Sequence, residues 1–226
     1  MPREENSGTA LHKAASAGDV ETVRIILEQG AVIDAGDGDG HTPLMRAARA
    51  GHAAVIAALL EAGADVTAED PLKGGTALHW AVVGAKLRCV RALLAAGSHP
   101  DAPNRFGSTP LVTAASGHSL ECVSALLEAG ASVHAANLHQ NTAMHMAAMS
   151  PLRNTQVIQR LVEAGASLAA RNSNHCTPRQ VAAASVAREN AQLLQLLERR
   201  AAKAAHQQQQ QQQHSSSTAQ QQKQQQ

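Results

Sequence analysis

A chain of 226 residues has room for one or two domains. Its formal charge of +1, from 19 basic and 18 acidic residues, argues against nucleic acid or a membrane surface as partner, because both need concentrated positive charge. The apolar fraction of 44% contains no tyrosine, one phenylalanine and one tryptophan, so alanine and branched aliphatics must fill a core made of thin, closely packed helical layers.

The start, Met1-Pro2-Arg3-Glu4-Glu5-Asn6, is polar and unlike a signal peptide, and no apolar run approaches the roughly 20 residues that span a bilayer. Three widely spaced cysteines do not make a disulfide framework. A reducing compartment, cytoplasm or nucleus, is expected.

In chain order, the first predicted helix opens at Thr9-Ala10-Leu11-His12. The pattern returns at Thr42-Pro43-Leu44-Met45, Thr76-Ala77-Leu78-His79, Thr109-Pro110-Leu111-Val112 and Thr142-Ala143-Met144-His145, with a worn copy at Thr177-Pro178-Arg179-Gln180. The intervals of 33, 34, 33, 33 and 35 residues mark a tandem repeat. In each unit threonine is a good N-cap, and a following proline fits the first helical position. A small pair such as Ala47-Ala48 lets the first helix approach its neighbours, and Gly18, Gly51, Gly84 or Gly117 interrupts it. An aliphatic pair such as Leu59-Leu60 gives the second helix a buried stripe, and Gly30, Gly63, Gly97, Gly130 and Gly165 close that helix in the left-handed conformation. A turn such as Asp37-Gly38-Asp39-Gly40 or Asn104-Arg105-Phe106-Gly107 leads onward. A turn plus two short helices cannot cover its own apolar side, so each unit must stack on the next.

Several positions depart from the pattern. The third turn, Asp70-Pro71-Leu72-Lys73-Gly74, is one residue long, and Gln140 and His175 stand where other turns have glycine. The fifth unit gains two residues around Ser150-Pro151-Leu152-Arg153-Asn154, which predicts a longer loop between its helices. Gln192, Gln195, Glu198, Arg199 and Arg200 make the sixth unit polar, as suits a terminal cap. The repeat domain therefore spans 9–200, after an N-terminal cap segment 1–8. The glutamine-rich residues 201–226 have no apolar surface to bury and are expected to be a disordered tail.

The signature, the small pairs and the glycines at this period resemble the ankyrin-repeat family over about Thr9 to Arg200. The resemblance implies an all-α solenoid of helix-turn-helix units whose turns project as β-turn fingers and whose first helices line a concave side. It also implies a structural role for His12, His79 and His145, and for His52 and His118, in tying neighbouring units together. The implied function is non-catalytic protein binding by a monomer without cofactor or metal, as an adaptor, scaffold or targeting subunit. The alternative is a stoichiometric inhibitor of a kinase or transcription factor.

Other chemistry is poorly supported. His134 and His139 lack a cysteine or carboxylate at metal-ligand spacing. Aligning Asp37-Gly38-Asp39-Gly40 with a calcium loop puts Ala35 and Arg46 at ligand positions. Cys89 and Cys122 read as core residues on stacked second helices. No nucleophile or phosphate-loop motif occurs.

In a repeat protein, function resides where the units differ on an exposed side. Positions after the signature and at the finger tips nominate Arg46, Arg49, Trp80, Arg105, Phe106, Leu138, His139, Met146 and Met149, an apolar patch with a basic edge from Lys13, Arg46 and Arg49. For Trp80, interface and interhelical packing are both open.

Overall fold

The computed structural model describes residues 5–117, 119–150, 154–185 and 187–224, with side chains between Ala10 and Gln210 apart from Arg188. His118 and the loop residues Pro151, Leu152 and Arg153 lie outside these ranges.

In five units threonine starts the helix. Thr42, Thr76, Thr109, Thr142 and Thr177 hold extended backbone ahead of α3 (Pro43–Ala50), α5 (Ala77–Val83), α7 (Pro110–Ser116), α9 (Ala143–Met149) and α11 (Pro178–Ala184). The hydroxyls of Thr42 and Thr109 accept the amides of Met45 and Val112, each at 3.3 Å. The first unit differs. Its helix α1 runs Glu5–Ala17, so Thr9 and the residues 5–8 before it lie inside one helix. No proline follows Thr9, so the helix is not set to start there.

The second helices are α2 (Val20–Glu28), α4 (Ala53–Glu61), α6 (Leu87–Ala95), α8 (Leu120–Glu128), α10 (Thr155–Glu163) and α12 (Arg188–Gln224). First helices stack on first helices from α1 to α11, second helices on second helices from α2 to α10, and each unit's two helices pack together. The only bridge among the described residues joins Ala136 and Thr142, so the fold is the all-α solenoid expected.

One stripe forms the core. Leu11, Leu44, Leu78, Leu111 and Met144 from first helices meet Leu59, Leu93, Leu126 and Leu161 from second helices, all fully buried. Full burial of such a side chain contributes about 1.5–3 kcal/mol. At the open end, α2 has a neighbour on one side only, which leaves Ile25 exposed. At the other end Leu194 of α12 is buried, while residues 201–210 are all exposed. Residues 201–210 thus stay outside the packed array, and the backbone continues α12 to Gln224. Alanine and glutamine are good helix formers, and the packed start of α12 removes the nucleation cost.

Buried side chains also bond one unit to the next. His79 Nδ1 accepts the Thr76 amide at 3.2 Å, so its Nε2 carries the proton and donates to the Ser108 carbonyl at 3.0 Å. His145 repeats this with Thr142 at 3.3 Å and the Cys176 carbonyl at 3.1 Å, and His12 lies 2.7 Å from the His41 carbonyl. In the fifth unit, Asn154 reaches the Ala115 carbonyl at 2.9 Å. It occupies the place from which His52 reaches Ser16 at 2.9 Å.

Burial pushes His79 and His145 below the ordinary histidine value. A lowered folded value means that their stability contribution is complete above the unfolded value near 6.5 and is lost as pH falls through the folded values. Thermal unfolding followed by circular dichroism should show the midpoint dropping between pH 7 and 5, with up to ~1.4 kcal/mol per pH unit from each histidine. The double variant His79→Gln/His145→Gln should flatten that dependence.

The closing glycines all adopt positive φ, from 85° at Gly30 to 93° at Gly63. Gln140 and His175 adopt φ of 57° and 56°, so these side chains occupy the left-handed position that glycine fills in other fingers. Mid-unit glycines are less uniform. In the third unit the left-handed residue is Ala85, and Gly84 has an ordinary φ of −78°. Gly84 is required for a different reason: a Cβ there would lie 2.4 Å from the Arg49 carbonyl oxygen of the preceding unit. Gly117 has no such contact within 3.6 Å. Gly84→Ala should therefore cost about 2 kcal/mol or more in urea unfolding, and Gly117→Ala less than about 0.5 kcal/mol.

Candidate partner-binding face

The fingers owe their shape to one residue each. Asp37, Asn104, Asn137 and Asn172 accept two amides apiece through one side-chain oxygen, those two and four positions ahead. Asp70 does the same work in the longer third finger, holding the amides of Leu72, Lys73 and Gly75. Fingers are then tied tip to tip. The amides of Arg105, Leu138 and Ser173 donate to the carbonyls of Lys73, Phe106 and His139 at 2.8, 3.0 and 2.9 Å. Between the second and third fingers this link is absent, because the residue after Asp70, in the donor position held by Arg105, Leu138 and Ser173, is Pro71, which has no amide hydrogen. There the Pro71 ring sits against Gly40, so close that a Cβ on Gly40 would fall 2.2 Å from it.

These constraints present apolar side chains on the finger and first-helix side. Leu72, Phe106 and Leu138 at the tips are 66%, 55% and 69% exposed, and Val83 and Met149 on α5 and α9 are exposed beside them. Arg49, Arg105 and His139 are also exposed, while Met146 is half-buried.

Two sequence-based assignments change. Trp80 does not offer its ring to the outside: it is 8% exposed. Its indole meets His41 edge-on at 4.5 Å and is covered by the Arg49 guanidinium and Lys73 ammonium at 5.4 and 5.6 Å. Trp80 is therefore a packed shelf beneath the candidate face. Arg46 is not a free basic group. It donates to Asp37 at 2.5 Å and to Asp39 at 2.9 Å, so its charge is compensated inside its own finger. Lys73, which the sequence places with Leu72 at the tip of the third finger, turns its ammonium back over the Trp80 ring.

The finger carboxylates explain themselves without a further ligand. Burial opposes ionisation of Asp37, but the bonds from Arg46 and from the His41 and Asp39 amides prevail and hold it below the ordinary carboxyl value. Buried Asp70 is likewise lowered, burial being outweighed by the amides of Lys73, Gly75 and Leu72. Asp37, Asp39 and His41 do converge as a metal site would. The guanidinium of Arg46 already supplies the cation there. Burial, followed by nearby Arg46, pushes His41 down, leaving it neutral near pH 7. Burial also raises the thiols of Cys89 and Cys122, which removes their thiolate character.

An array of thin layers with a row of variable tips defines a repeat protein. The family description "Ankyrin repeats (3 copies)" matches residues 2–70 and again 70–137, and "Ankyrin repeat" matches 139–173. The chain belongs to the ankyrin-repeat family, whose repeats mediate protein–protein interaction. No curated protein matches the chain. The matches end at residue 173, and α11 and α12 extend the stack by one more layer. No helix among the described residues is long and apolar enough to cross a membrane.

Because Trp80 is packed, Trp80→Ala should lower stability by about 3–5 kcal/mol. Phe106→Ala and Leu138→Ala should each stay within about 0.5 kcal/mol in the same denaturant titration.

Proposed function

We propose that the protein is a non-catalytic interaction module, an adaptor, scaffold or targeting subunit. It binds a partner protein across its fingers and first helices in the third to fifth units. One observation carries this reading. Of the eight exposed large apolar side chains among the described residues, five (Leu72, Val83, Phe106, Leu138 and Met149) fall on this one side. Clustered exposed apolar groups with arginine nearby are what interface centres favour. Finger bonding supports the reading as well, since tips held by side chain and neighbour lose little freedom when a partner arrives. Arg49, Arg105, Phe106, Leu138, His139 and Met149 are the contact residues. Trp80, Arg46 and half-buried Met146 support them from below.

The test uses full-length protein as bait in extract of its native cell, with captured proteins measured by quantitative mass spectrometry. Phe106→Ala/Leu138→Ala should reduce specific capture at least about tenfold, the loss of one or two hot spots, while leaving the unfolding curve in place. Equal capture by both baits would refute the assignment of this face.

A further inference from the structure

Charge is balanced over the chain but not over its surface. On the finger and first-helix side, Asp37 and Asp39 are bound by Arg46, and Asp70 is buried beneath backbone amides. Lys13, Arg49, Lys73 and Arg105 on this side make no ion pair among the described residues, and all four are exposed. They are linked in space. Lys13 shares a hollow with Arg46, Arg49 lies one turn further along the same helix, Arg49 and Lys73 flank the Trp80 ring, and the Arg105 amide bonds the Lys73 carbonyl. Glu28, Glu61, Glu128 and Glu163 end the second helices, away from this side. The exposed carboxylate beside the strip is Glu69, whose Oε2 lies near Gly74 in the third finger without an ion pair among the described residues. A chain of near-zero net charge thus carries four cations outside any ion pair along one strip, against the single carboxylate of Glu69, interleaved with exposed Val83 and Phe106.

We propose that this strip receives an acidic segment of a partner protein, with aspartate or glutamate side chains spaced among aliphatic ones. Its carboxylates pair with Lys13, Arg49, Lys73 and Arg105, and its aliphatic groups rest on Val83 and Phe106. The inference rests on the reading of this side as a protein-binding face and adds the partner's chemistry. Complementary charge speeds encounter, selects register and makes binding salt-sensitive. The composition of the strip suits a peptide better than a nucleic acid. Phe106 is its one exposed aromatic side chain, too few for a platform on which successive bases stack.

The probe is a library of random peptides displayed on phage and selected against the full-length chain, followed by titration of the enriched peptide made synthetically. Enrichment should favour net-negative peptides with interspersed aliphatic residues, bound more weakly as salt rises. Lys73→Glu/Arg105→Glu should cost tenfold or more in affinity, roughly the loss of one to two close charge pairs. The matched reversal Arg88→Glu/Arg91→Glu on α6 should leave affinity within about twofold, as expected of charges remote from the contact. Neutral or basic peptides, lost in Phe106→Ala/Leu138→Ala but indifferent to Lys73→Glu/Arg105→Glu, overturn the inference and leave the binding face standing. Peptides indifferent to both variants overturn the inference and the face together. An absence of enrichment, or tighter binding of an oligothymidylate than of the selected peptide, also overturns the inference.

Discussion

Contact between successive layers is the interaction on which this structure depends. Leu59 is buried only because α2 and α6 stand on either side of α4, and the same holds for Leu93 and Leu126 one layer on. Stability in such an array is close to a sum of nearest-neighbour terms. Buried polar groups refine the sum. His79, His145 and Asn154 each cross a layer boundary to a backbone carbonyl, so register is specified by directional bonds as well as by apolar surface. Where the signature histidine gives way to Met45 or Val112, the buried position is filled by apolar volume instead.

The same division of labour frees the exposed side. A finger needs one acceptor at its base, a residue able to take positive φ near its end, and little else. Asp37, Asp70, Asn104, Asn137 and Asn172 meet the first requirement, and Gly40, Gly74, Gly107, Gln140 and His175 the second. Tip side chains such as Leu72, Phe106 and Leu138 are exposed and bury no core surface, so apolar groups can stand there without cost to the fold. That freedom is why a shared scaffold can present a particular mixture of cationic and apolar groups.

Much of this was legible in the sequence, because the fold is dictated by features that recur. Threonine N-caps, closing glycines and aliphatic pairs each return at a fixed interval, and periodicity averages out local exceptions. What remained hidden depends on a single pairwise geometry. Nothing in the spacing says that Gly84 faces the Arg49 carbonyl rather than taking a left-handed turn. Nothing says that Arg46 folds back on Asp37 and Asp39, or that Arg49 and Lys73 close over Trp80. The first helix also starts before the signature, at Glu5, which the repeat pattern did not show. The burial of Trp80 and the pairing of Arg46 needed coordinates.

The proline contact between the second and third fingers has a consequence for the array. Elsewhere a backbone bond couples adjacent tips, so tilting one drags the next. At Pro71 the coupling is only the shape of a ring against Gly40. The row is therefore mechanically two segments, one ending at the finger of Asp37 and one running from Asp70 to the last finger. Adjustment to the contour of whatever lies along it concentrates at that joint, beside the cations gathered around Trp80.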